Sequence, residues 1–343
     1  MKKEESHALQ GIAALLVVFH HCFMLTPLFA DGFISNPTLI EQFAKSARIC
    51  LGICAFVSGY GLFYSFAKEE GYPAEYKNVG RRIARLYGRF WYVLAVTLIA
   101  EILIFGRQIA WGELPGNITA FNPTYNTTWW YVREYMYMLI LTPLIKALLQ
   151  GDKKRRIIAC MVFILAMAIL GILFIIPNGR AVVSAIFSYV QVAVLLVFFE
   201  GYLAAYIQNR LRNKEIRRID NSAVIVLIGL LIAVISYVIR LLLSIDGGDS
   251  KPDVIVVPFF VFGAVLALRY LSPVKSVLAF IGKNLLYIWL IHGLVWKESM
   301  FALLTNTNPV IFYLAVFVIS LILAIVLGYG EKLFISLIKK NSK

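Results

Sequence analysis

Residues 222–244 read SAVIVLIGLLIAVISYVIRLLLS, an apolar run in which Arg240 is the single charged side chain. A helix rises about 1.5 Å per residue, so a run of this length spans a hydrocarbon core of about 30 Å. Inside such a core every backbone N–H and C=O group must be paired within the protein, and a helix pairs them by itself. The stretch therefore predicts a transmembrane helix.

Similar runs recur along the whole chain. Of its 343 residues, 60% are hydrophobic and 15% are charged, whereas a soluble domain usually contains about 25% charged residues. We predict one all-α domain, residues 1–343, that is embedded as a multi-pass protein in the cell (plasma or cytoplasmic) membrane. Its ten expected transmembrane helices are 8–28, 45–67, 83–105, 129–149, 157–177, 182–207, 222–244, 254–271, 276–297 and 309–338.

The positive charge has a regular distribution. The formal net charge is +14, and Lys and Arg concentrate in alternate connecting segments such as 77–85, 153–156 and 210–218. Because positive loops stay in the cytoplasm, we expect both termini inside and the 106–128 loop outside. Basic residues spread over short loops do not form the single basic face of a nucleic-acid-binding module. The expected partners therefore include membrane lipid and no nucleic acid.

The first predicted span contains the segment 10–21, QGIAALLVVFHH. Polar side chains inside a bilayer are costly and are candidates for function. Gln10 and His21 are eleven residues apart, which is within about 20° of whole helical turns, so they share a face about 16.5 Å apart; His20 is turned by about 100°. His21 is suited to act as a general base near neutral pH. The alternative is a histidine that only hydrogen-bonds to a neighbouring helix.

Two arginines stand at the expected cytoplasmic end of the third span. Arg82 and Arg85 are three residues apart and share a helix face. An arginine side chain suits bidentate contact with phosphate, although charge that sets topology and contacts lipid headgroups explains such a pair equally well.

The remaining polar positions lie in three later segments. Ser58 precedes Gly59, where small residues predict close helix packing. Glu134 follows Trp129, which we interpret as an interface anchor, and a carboxylate within a span requires a partner. Lys283 and His292 belong to the ninth span, and two deep histidines on different helices predict a shared interior site. His and Cys ligands at metal-site spacing are missing, so no metal is predicted.

Taken together, these segments resemble acyltransferase family 3, the multispanning O-acyltransferases of surface polysaccharides and lipids. The stretch 9–21 is similar to the family's opening motif, with His21 in the place of the catalytic histidine. Arg82 and Arg85 match its Arg-x-x-Arg motif. Residues 56–60, 129–132 and 282–292 resemble its Ser-Gly-Tyr, Trp-aromatic and Gly-Lys-Asn…His segments, in the expected order.

The resemblance implies a chemistry and its partners. An acyl group, acetyl by default, would pass from cytoplasmic acyl-CoA to a hydroxyl of a carbohydrate or glycolipid acceptor, with His21 as the base and Arg82 and Arg85 on the CoA phosphates. Acetyl-CoA is then a donor substrate, and no permanently bound cofactor is expected. Gln10 replaces the family's arginine and removes a charge. The candidate substrate-binding residues are Gln10, Ser58, Arg82, Arg85, Glu134, Lys283 and His292.

Two other function classes remain open. The first is a transporter or flippase of a lipid-linked sugar that uses His21, Glu134 and His292 as a proton path. The sequence contains no internal repeat that we detect, which argues against many transporter folds. The second is a catalytically impaired family member with a sensor or assembly role, which Gln10 makes credible.

The charge pattern generates a topology prediction. In a cysteine-free background, Asn122→Cys should react with a membrane-impermeant thiol reagent in intact cells, and Lys154→Cys should react only after lysis, because positive loops stay inside. Labelling of position 154 but not of position 122 in intact cells would overturn the orientation.

Overall fold

The computed structural model describes residues 1–24, 37–104, 106, 108–175, 189–211, 222–243, 252–297 and 308–341, and within them all regular structure is helical. Short 3₁₀ turns at Trp111–Glu113 and Thr127–Trp129 flank the α-helix of the 106–128 loop. The helices are α1 Lys3–Met24, α2 Pro37–Ser46, α3 Ile49–Phe66, α4 Tyr72–Leu103, α5 Leu114–Thr119, α6 Trp130–Gln150, α7 Lys153–Ile175, α8 Tyr189–Leu211, α9 Ser222–Leu242, α10 Asp253–Leu268, α11 Ser272–Lys283, α12 Leu285–Lys297 and α13 Pro309–Asn341.

Several of these helices suit a bilayer. Within the described residues, six helical segments are long and apolar enough to cross it, and α11 with α12 would make a seventh if the bent pair forms one span. The chain is thus an all-α protein of several candidate spans, while the number ten and the orientation of the termini stay predictions. The six segments are Lys3–Met24, Leu39–Phe66, Tyr72–Leu103, Gln191–Leu211, Ser222–Leu242 and Pro309–Leu337.

Three features account for part of the difference between the ten predicted spans and the six or seven candidate spans. Helix α10 has 16 residues, which give about 24 Å, short of a core of about 30 Å. Helix α6 carries the charged side chains Arg133, Glu134 and Lys146, which lower its hydropathy. Residues 25–28 and 182–188 of the predicted first and sixth spans lie outside the described residues, as does 212–218 of one basic segment.

The predicted ninth span is broken. We expected one helix over 276–297, but α11 and α12 meet at a bend of 68°. Asn284 stands at the break with φ −100° and ψ 1°, outside the helical region, and its side-chain amide donates to the Phe280 carbonyl at 3.0 Å. The bend leaves Lys283 exposed at the end of α11 and starts α12 in a new direction.

Glycines let the backbones of several helices touch, and the approach is closest in two helix pairs. A Cβ atom at Gly11 of α1 would lie 2.0 Å from the Leu278 carbonyl oxygen of α11, and one at Gly282 would lie 1.8 Å from that of His7. Both distances are far below any van der Waals contact, so α1 and α11 approach as only glycine permits.

The second pair joins α3 to α8. A Cβ atom at Gly59 would lie 2.0 Å from the Phe198 carbonyl oxygen, and one at Gly201 would lie 2.0 Å from that of Phe56. The geometry agrees with the sequence-based expectation that the segment around Ser58 and Gly59 serves close packing.

This contact generates a stability prediction. Gly59→Ala should destabilise the protein by roughly 1–3 kcal/mol, because the new methyl group overpacks the contact. Gly61→Ala is the matched control in the same helix, since a Cβ atom there meets nothing within 4 Å, and it should be neutral or stabilising by up to about 1 kcal/mol. Thermal unfolding of the two variants in detergent measures the difference, and equal midpoints would contradict the close approach.

Candidate functional site

The first helix keeps its two predicted polar residues on one continuous element. Helix α1 runs without a break from Lys3 to Met24, so Gln10 and His21 share a face as expected. Between them, Ala13 and Val17 line a narrow void, and the facing walls come from α3, α6 and α12. The other lining residues are Cys50, Leu51, Cys54, Tyr131, Leu285 and Trp289.

The structure brings the two deep histidines together. The ring centroids of His21 and His292 are 5.0 Å apart, with 50° between the ring planes. His292 is fully buried, and its Nδ1 lies 2.7 Å from the Trp289 carbonyl oxygen. A carbonyl oxygen only accepts, so Nδ1 carries a proton and the neutral ring has an acceptor lone pair on Nε2. That Nε2 atom has no hydrogen-bond partner among the described residues.

His20 has a different environment. Its Nδ1 donates to the Ala44 carbonyl oxygen of α2 at 2.7 Å, although its ring centroid is only 5.0 Å from that of His21. His20 thus ties α1 to α2, whereas His21 faces α12.

Gln10 lies half-buried near the beginning of α1, where the backbones of α1 and α11 meet. Its side-chain oxygen is 3.0 Å from Nδ1 of His7. His7 had not been singled out in the sequence, although the spacing of three residues was a usable signal for contact on a helix.

The arginine pair separates into an inward and an outward side chain. Arg82 is half-buried and donates from Nη2 to the Ser65 hydroxyl at 2.5 Å and from Nε to the Asn78 side-chain oxygen at 3.1 Å. Arg85 is exposed. Ser65 and Asn78 were not recognised in the sequence, because hydroxyl and amide groups near a helix end carry no distinctive pattern.

Glu134 is fully buried, and one of its two carboxylate oxygens has a charged partner. Its carboxylate lies 3.3 Å from Nε of the neighbouring Arg133, and Arg133 also donates to the Phe121 carbonyl oxygen at 3.1 Å. Two other candidates have no polar partner among the described residues. In the described part of the chain, half-buried Ser58 and exposed Lys283 make no hydrogen bond or ion pair.

The expectation that Trp129 is an interface anchor is wrong. Trp129 is fully buried, and its indole N–H donates to the Leu290 carbonyl oxygen of α12 at 2.8 Å. The side chain of Asn126 also donates to Leu290, at 3.4 Å. These two residues, which the sequence analysis missed as site residues, hold α12 two positions before His292.

A buried charge cluster was also missed. Glu75 of α4 is fully buried and forms ion pairs with Lys146 of α6 at 3.0 Å and with Arg155 of α7 at 2.6 Å. The Lys146 ammonium group donates as well to the Phe66 carbonyl oxygen at the end of α3, at 2.7 Å. Breaking one partner of such a buried set typically costs about 3–5 kcal/mol, so the cluster fixes four helices near Arg82.

Comparisons with known proteins place this geometry in a family. The family model described as an acyltransferase domain, Acyl_transf_3, matches residues 4–329. No curated protein and no solved structure matches the chain. A match of this extent covers every element that carries the histidine pair, the arginines and Gln10. The chain belongs to the Acyl_transf_3 family of acyltransferase domains.

Proposed function

We propose that this protein is a membrane O-acyltransferase that moves an acetyl group from cytoplasmic acetyl-CoA to a hydroxyl group of a carbohydrate acceptor. The acceptor is a cell-surface polysaccharide or a lipid-linked sugar in the cell membrane. The observation that carries the proposal is the meeting of His21 and His292 at 5.0 Å between ring centroids, inside a family of acyltransferases. A pair of imidazoles inside the helix bundle suits proton transfer during attack by a hydroxyl group.

The reaction is an acyl transfer with general-base catalysis. His21 accepts the proton of the acceptor hydroxyl as its oxygen attacks the thioester carbonyl carbon. The tetrahedral intermediate then breaks its C–S bond, and the leaving CoA thiolate takes the proton back from His21. The Nδ1–H group of His292 is directed to backbone carbonyls, so the Nε2 atom keeps its lone pair. This lone pair can accept a hydrogen bond in the site and so help to orient the imidazole of His21.

The charge balance of the arginines supports the donor site. Arg82 donates to two neutral groups, the Ser65 hydroxyl and the Asn78 amide, so its positive charge is left for a phosphate. Exposed Arg85 adds a second charge one helical turn away. By contrast, several arginines in the described residues are paired with carboxylates, among them Arg89, Arg133, Arg155, Arg240 and Arg269.

Gln10 lies near the beginning of α1, on the face that carries His21. The two residues are about 16.5 Å apart along the helix axis. The side-chain oxygen of Gln10 already contacts His7, so Gln10 can give acyl-CoA only an uncharged amide N–H donor. Such a hydrogen bond is weaker than the charged one from the arginine that the family has at this position.

The histidine pair generates a catalytic prediction. His21→Ala should lower acetyl transfer by about 10²- to 10⁴-fold, because the general base is lost, and His20→Ala should keep most activity, since His20 bonds to Ala44. The measurement is the acetyl content of surface glycans, by mass spectrometry, from strains with equal amounts of each variant in the membrane. Near-normal acetylation by His21→Ala would refute this assignment, and unmodified precursor trapped inside a deletion strain would indicate export instead.

The arginine geometry generates a donor prediction. Arg82→Ala should weaken acetyl-CoA binding by the purified protein about 10- to 100-fold, because a charge-assisted hydrogen bond to phosphate is lost. Arg82→Lys should restore only part of the affinity. Arg81→Ala is the matched control, since Arg81 is exposed and donates to the Lys77 carbonyl of its own helix. If Arg82→Ala and Arg81→Ala bind acetyl-CoA equally well, Arg82 does not bind the donor.

A further inference from the structure

The narrow void beside α1 has a position that relates it to the histidine pair. Val17 of its wall is one helical turn before His21 on α1, and Trp289 of its opposite wall is three residues before His292 on α12. The void therefore lies about one helical turn from the histidine pair, beside the position of the thioester carbonyl in the proposed reaction.

The wall chemistry restricts what this void can hold. Its lining consists of aliphatic, aromatic and thiol side chains, and the Tyr131 hydroxyl is already used, because it donates to the Leu51 carbonyl oxygen at 3.3 Å. The pantetheine arm carries two amide groups, and burying an amide without a hydrogen bond costs free energy. An aliphatic chain carries no such groups, so the wall suits the acyl chain of the donor and not its arm.

The size of the void sets a limit on that chain. The void is about as large as one water molecule, close to the volume of a methyl group. One wall is held rigidly, since the rings of Tyr131 and Trp289 pack edge to face with centroids 4.4 Å apart. We propose that this void is the acyl subsite and that Val17, Tyr131 and Trp289 restrict the donor to a short acyl group. The inference rests on the proposed function.

Widening the wall tests the length limit. Wild-type protein should bind acetyl-CoA more tightly than butyryl-CoA, measured by displacement of radiolabelled CoA. Val17→Ala should reduce that preference by about fourfold for each methylene group that becomes accommodated. Val18→Ala is the matched control, because Val18 is an equally buried valine of the same helix that does not line the void, and its preference should equal that of the wild type.

The outcomes separate this inference from the proposed function. Failure of every form to bind CoA would overturn both. Binding of CoA with no preference for acetyl over butyryl, or an identical change of preference in Val17→Ala and Val18→Ala, would overturn the acyl subsite alone.

Discussion

The architecture depends on the backbone contact between α1 and α11. At Gly11 and Gly282 the two helices lie so close that a single Cβ atom would collide with a carbonyl oxygen of the other. Such a contact fixes the axial register of the two helices, because any shift would bring a larger residue into the same space. Only Asn284 separates the end of α11 from the start of α12, so this register also determines the height at which His292 meets His21.

A second constraint is the cost of charge in an apolar medium. Glu75 has two cationic partners, and Arg240 and Asp253 form a fully buried pair between α9 and α10. These pairs compensate the desolvation of their members, and they tie together helices whose lipid-facing sides provide no driving force for association. Arg82 differs from these paired residues, because its side chain is half-buried although its described partners are neutral.

Features that depend on the local periodicity of a helix, such as which residues share a face, could be predicted from the sequence. Gln10 and His21 lie on one face because α1 is continuous, and the packing role of Gly59 follows from its small size. The break at Asn284 could not be predicted, because the apolar pattern continues through it, and the burial of Trp129 depends on a carbonyl group of α12 that is 161 residues away. Hydropathy detects an apolar segment without measuring whether a helix such as α10 is long enough to cross a bilayer, so the number of ten spans stays a prediction.

The position of Glu134 bears on the choice between acyl transfer and proton-coupled transport. A proton path through His21, Glu134 and His292 would require a carboxylate that exchanges protons with the histidine pair. The described ion pair of Glu134 is with Arg133, which is itself held by the Phe121 carbonyl group. The histidine pair instead adjoins an apolar void lined by residues of α1 and α12, which suits the acyl chain of the proposed transfer and which a proton path does not need.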